Sequence, residues 1–111
     1  MAEENKGIEE LLQDSENLQK AINIIKDKDI FLIEDNCESM GAILNGKPCG
    51  TFGDVATFST FFSHHISTME GGIVVTKDTE IHHLAKSLRA HGWTRDIPSD
   101  TSIYEKGDDD F

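Results

Sequence analysis

The chain has 111 residues, a length that confines it to one small domain, and its 10 Lys and Arg against 21 Asp and Glu give a formal net charge of -11 that repels a phosphate backbone. Nucleic acid is therefore excluded as a partner. No apolar run approaches the roughly 18 residues of a membrane span, the opening MAEENKGIEE lacks the basic and apolar regions of a secretory signal, and Cys37 and Cys49 form neither a disulfide framework nor a CxxC pair. A cytoplasmic protein with no membrane partner is expected.

In chain order, Ile8, Leu11, Leu12, Leu18, Ala21, Ile22 and Ile25 recur at helical spacing and predict an amphipathic helix inside a first segment, 1–29. The core slice, 30–95, begins with Ile30-Phe31-Leu32-Ile33, a run of the kind found in a buried parallel strand, ending at Glu34 and Asp35. Asn45-Gly46 is a favoured two-residue hairpin turn, and Pro48 keeps that hairpin at an edge. Two further strand-like runs, Val55 to Thr60 and Ile73 to Thr76, bracket a polar segment from Ser63 to Gly72. A second helix starts at the cap Asp78, buries Ile81, Leu84, Ala85 and Leu88, and stops before Gly92. The remainder, 96–111, has little periodicity and reads as an irregular, exposed acidic tail. Helix, strand, hairpin, strand, strand, helix make an α/β layer.

Asp35 falls at the C-terminal end of a strand, the edge where open α/β sheets bind ligands, although a solvated strand-end acid has the same appearance. Glu38 either shares that site or faces water, and Cys37 fits a small apolar role better than a nucleophilic one. His64 and His65, followed by Ser67, Thr68 and Glu70, gather groups that titrate or hydrogen-bond in a loop between strands. Adjacent histidines on extended backbone point apart, which favours one inward general base over a shared metal; no metal is expected. Ser59 and Ser63 are able to bind a phosphate, but there is no Walker lysine and no GxGxxG.

Three stretches, EDNCESMGA at Glu34 to Ala42, GTFGDVATFSTFFSHHISTMEGG at Gly50 to Gly72, and LRAHGWTR at Leu88 to Arg95, together resemble the DegT/StrS family of pyridoxal-phosphate-dependent nucleotide-sugar aminotransferases. The resemblance implies part of the large domain of a type I PLP-dependent transferase, with a mostly parallel sheet and flanking helices. By position, Asp35 would pair with the pyridine nitrogen and keep it protonated, and Ser59 would hydrogen-bond the cofactor phosphate. Glu38 falls where many members carry Gln near the ring's 3-hydroxyl. His65 would support His64 or contact substrate.

The family's Schiff-base lysine falls six residues before Glu70, where this chain has His64. Imidazole cannot make that covalent link, yet it can move a proton at the cofactor carbon. The substitution resembles the 3-dehydratase branch, which makes 3-deoxysugars for surface polysaccharide such as O-antigen lipopolysaccharide. The resemblance then implies pyridoxal 5'-phosphate and pyridoxamine 5'-phosphate as cofactors, a GDP- or CDP-linked 4-keto-6-deoxyhexose as substrate, and glutamate as amino donor. A related branch holds an iron–sulfur cluster through cysteines close after this region; Gly92 to Asp96 has none, so the cluster-free type is expected. Family members are several times longer and form homo-oligomers. The chain matches a central slice of them, and the expectation is a fragment inactive alone, with a sugar aminotransferase-like or non-catalytic remnant that needs a partner or oligomer as the alternative.

Overall fold

The structure, a computed structural model, describes the backbone of residues 2–103 and the side chains of 13–103. Helix α1 (Ala2–Asp27) is followed by strand β1 (Ile33–Asp35), the hairpin β2 (Ile43–Leu44) and β3 (Lys47–Pro48), strands β4 (Val55–Ser59) and β5 (Gly72–Thr76), and helix α2 (Thr79–Leu88). The order of elements is the one the sequence predicts. Asn45 and Gly46 both adopt positive φ, as a turn matched to the twist of the two strands requires.

The main sheet has the order β1-β4-β5 and is mixed: β1 runs parallel to β4, with Asp35 opposite Thr57, and β5 runs antiparallel to β4, with Gly72 opposite Ser59. Strand β4 is flanked on both sides. Its Ala56, 1% exposed, faces the covered side of the sheet, while Thr57 and Ser59 alternate onto the other.

A small apolar cluster joins Ile22 of α1, Leu44 of the hairpin and Phe52, with Leu32 and Cys49 packed against it. Within the helical stripe, Ile22 is the position that is buried; Leu18 and Ala21 are exposed, and the side chains of Ile8, Leu11 and Leu12 lie outside the described residues. The expected burial of the Ile30-to-Ile33 run is corrected. Ile30, Phe31 and Ile33 are exposed, and β1 itself is confined to Ile33–Asp35. The stripe of α2 differs similarly: Ser87 is its buried residue, Ile81 and Ala85 are half-buried, and Leu84 and Leu88 face solvent.

Asp78 caps α2 as expected, its Oδ1 accepting the Ile81 N–H at 2.9 Å. After α2 the backbone turns through His91 and Gly92, both at positive φ, and the Gly92 N–H donates back to the Ser87 carbonyl. The segment 94–103 is irregular, but it is not free in solvent. Ile97 is only 3% exposed, and Lys86 of α2 donates to the Asp96 carbonyl at 2.9 Å. Residues 104–111 of the acidic tail lie outside the described residues. Among the described residues, no helix is long and apolar enough to cross a membrane.

Candidate functional site

Parallel pairing of β1 with β4 brings two strand ends to one edge, and the loops that leave them carry the singled-out residues. Asp35 ends β1 and Ser59 ends β4, with Thr57 between them on the same face. The Asp35 carboxylate is exposed. A hydrogen bond from the Cys37 thiol, the Cys37 N–H at 3.2 Å and a weaker contact from the Thr57 hydroxyl outweigh a small opposing effect of burial, so its pKa is lowered and it stays ionised. The same partnership pushes the Cys37 thiol up: it donates to Asp35, is partly desolvated, and lies near the Asp35 and Glu38 charges. Cys37 thus donates to Asp35.

Ser59 Oγ accepts the Phe61 N–H at 3.2 Å, which leaves the hydroxyl hydrogen available to a phosphate oxygen. Beyond it, the loop of 61–71 is closed at its neck around Thr60. The Thr60 N–H donates to Gly71, the Thr68 N–H donates to the Thr60 carbonyl at 2.8 Å, and the two threonine hydroxyls meet at 2.8 Å. The Thr68 hydroxyl also lies 3.0 Å from the Glu70 carbonyl.

Inside that loop the His64 N–H donates to the Phe61 carbonyl at 3.0 Å, forming a tight turn with the Phe61 ring edge-on to the imidazole. His64 Nε2 lies 3.3 Å from Glu38 Oε1; the imidazole side chain is 18% exposed and the glutamate 88%. His64 Nδ1 is buried and has no hydrogen-bond partner among the described residues. The structure therefore brings Glu38 and His64 together, two residues that sequence reasoning treated separately. His65 is exposed and stands outside this pair.

Sequence reading overlooked Glu34. Burial raises its pKa, but N–H donors from Gly53, Gly50 and Phe52 and the Asn36 side chain lower it further, for a net downward shift. The donors stand 2.6 to 2.7 Å from its oxygens. Its signal was the acid-acid pair at a strand end followed by the Gly-rich GTFG. An open groove of about 530 Å³ occupies the opposite edge of the sheet, near Leu32, Asp54 and Lys77. It contains none of Asp35, Glu38, Ser59 or His64, which lie at the strand C-terminal edge.

The residues at that edge fit a pyridoxal-type cofactor: an ionised acid for a ring N–H and a serine hydroxyl free to donate to phosphate.

Comparison with known proteins places the chain among sugar-modifying relatives. GDP-4-keto-6-deoxy-D-mannose 3-dehydratase of Yersinia pseudotuberculosis is 57% identical over 88 residues, covering 79% of this chain and 22% of that protein. The structure of E. coli GDP-4-keto-6-deoxy-D-mannose-3-dehydratase with bound hydrated PLP superposes with a TM-score of 0.73 at 54% identity, covering 84% of this chain and 24% of that one. A structure of GDP-4-keto-6-deoxymannose-3-dehydratase with a trapped PLP-glutamate geminal diamine matches at 53% identity, with the same coverage and TM-score. The chain thus spans about a quarter of the length of these relatives. Its own fold is the corresponding α/β part of a PLP-dependent transferase. The family model for the DegT/DnrJ/EryC1/StrS aminotransferase family matches residues 12–106, and the chain belongs to that family.

Proposed function

We propose that this chain carries part of the cofactor site of a nucleotide-4-keto-6-deoxyhexose 3-dehydratase. The observation that supports this reading best is His64, standing where a Schiff-base lysine would stand, at the same sheet edge as Asp35 and Ser59. The ligands of the relatives supply the cofactor class, pyridoxal 5'-phosphate or pyridoxamine 5'-phosphate. When bound, that group supplies a protonated pyridine ring that acts as an electron sink.

In this reading Asp35 holds the ring nitrogen protonated and Ser59 donates to the phosphate. His64 takes a proton from the cofactor's methylene carbon, which is the role an imidazole can fill and a covalently bound lysine would share with anchoring. His65 lies beside it and contacts substrate. The substrate class is a GDP-linked 4-keto-6-deoxyhexose, by the names of the relatives, with glutamate as amino donor. The setting is cytoplasmic deoxysugar synthesis for surface polysaccharide, in a homo-oligomeric full-length enzyme. The 111-residue chain by itself is without turnover, because misplacing one group by about 1 Å costs roughly 100-fold in rate and the chain spans about a quarter of its relatives.

Absorbance titration of the purified chain with pyridoxamine phosphate and pyridoxal phosphate tests the site. Saturable binding that Asp35→Asn abolishes is expected. Absence of binding at millimolar cofactor, or binding indifferent to Asp35→Asn, would overturn it.

A second reading, a non-catalytic segment completed by a partner or a second copy, draws on the exposed Ile33 and Val74 of the uncovered sheet face. Its mark would be self-association in sedimentation without cofactor binding.

A further inference from the structure

We infer that Glu38 is a positioning residue for His64: it holds the neutral imidazole in the tautomer protonated at Nε2 and leaves the ring's lone pair on Nδ1. The inference concerns the tautomer of the ring in the chain without cofactor and rests on the Glu38–His64 pair, not on any step at the cofactor.

Two independent features of the ring select the same tautomer. A carboxylate oxygen, Glu38 Oε1, stands 3.3 Å from Nε2, and an acceptor at that distance is favourable only if the nitrogen carries the hydrogen. At the other end, Nδ1 is buried without a partner, where an N–H would be a donor removed from water with nothing to accept it, while a bare lone pair is less penalised. The opposite tautomer would face two lone pairs toward each other at Nε2 and strand a hydrogen at Nδ1.

The backbone leaves Glu38 this task. The turn closed by the His64 N–H on Phe61 fixes the backbone from which the side chain starts, and the Phe61 ring lies edge-on to the imidazole. Glu38 reaches that ring from the loop after β1. Asp35, the neighbouring acid, is engaged with Cys37 and Thr57 and does not compete.

Glu38 acts through His64. Because Glu38 is largely exposed, its contribution is orientation and choice of tautomer more than Coulomb attraction. The assignment also gives its Oε1 a different partner from the cofactor's 3-hydroxyl that the family resemblance implies.

The test is two-bond proton–nitrogen correlation of the histidine side chains in the 15N-labelled 111-residue chain, without cofactor, at alkaline pH. His64 is identified by the signals lost in His64→Gln. Expected are a pyrrole-type Nε2 and a pyridine-type Nδ1, both moving toward the averaged position of an exchanging ring in Glu38→Ala. Glu38→Gln retains the wild-type pattern, since its amide oxygen still accepts. Glu38→Met removes the acceptor while keeping side-chain length and must reproduce the alanine result. A pyrrole-type Nδ1 in the wild type, or shifts unchanged in both Glu38→Ala and Glu38→Met, would overturn the assignment. Cofactor titration fails or succeeds independently: the expected tautomer in a chain that binds no cofactor refutes the functional reading and leaves the pair standing.

Discussion

Glu34 and Asp35, neighbours in β1, send their carboxylates to opposite faces of the sheet. Glu34 accepts N–H groups from Gly50, Phe52 and Gly53 on the covered side, whereas Asp35 turns to Cys37 and Thr57 at the open edge. Strand alternation alone separates the two duties. A slip of one residue would exchange the faces and lose both.

Glu34 should set the acid limit of the fold. Its folded-state pKa lies below the ordinary 4.5, so the stability it contributes is fully present above 4.5 and is lost as pH falls through the lower folded value. Glu34→Gln is expected to cost about 2 kcal/mol at neutral pH, because the three amides lose a charged acceptor. It should also flatten the acid slope. Urea unfolding followed by circular dichroism at neutral pH and at about pH 3.5 checks both.

Two glycines should respond differently to the same substitution. A Cβ at Gly53 would meet the Leu32 carbonyl oxygen at 2.6 Å, a backbone atom with no room to move, whereas at Gly46 it meets nothing within 4 Å. Gly46→Ala therefore costs only the positive φ, about 1 kcal/mol. Gly53→Ala belongs at the upper end of the roughly 1–3 kcal/mol of overpacking. Paired thermal melts give the ranking.

Thr68→Val should loosen the neck that holds His64's loop. The hydroxyl it removes contacts Thr60 Oγ1 and the Glu70 carbonyl, for an expected loss of about 1 kcal/mol. Amide exchange at His64 should then quicken about five-fold while β4 amides stay protected.

Ile97→Ala should detach the 94–103 segment from α2, with a cost of about 2–3 kcal/mol for emptying a buried site. Limited trypsin cleavage after Arg95 should accelerate in the variant. Unchanged cleavage would mean that the Lys86 to Asp96 bond, not Ile97, holds the segment.

Local signals were legible because their causes are local. The Asn45-Gly46 turn, the Asp78 cap and the succession of strands follow from backbone preferences of a few residues each. Asp35, Ser59 and His64 were readable as a set through family motifs, and the strand pairing brings them to one edge. The antiparallel course of β5 was not readable, since periodicity marks a strand without its direction. The helical stripe of α1 overstated burial for a related reason: periodicity shows which face is apolar, while packing depends on what lies opposite, and here the hairpin reaches Ile22. The joining of Glu38 to His64 was likewise hidden, because two loops meet only after β1 and β4 have paired.

Strand β4 is the keel of this molecule. With hydrogen-bonded neighbours on both flanks and Ala56 almost sealed from water, it is the stretch whose amides should release their deuterium last as the protein is warmed. Thr57 and Ser59 ride on that strand, so the hydroxyl proposed to meet a phosphate is built into the most persistent part of the structure, while His64 hangs from a loop tied to its end. A ligand arriving at this edge would meet a fixed floor and an adjustable wall.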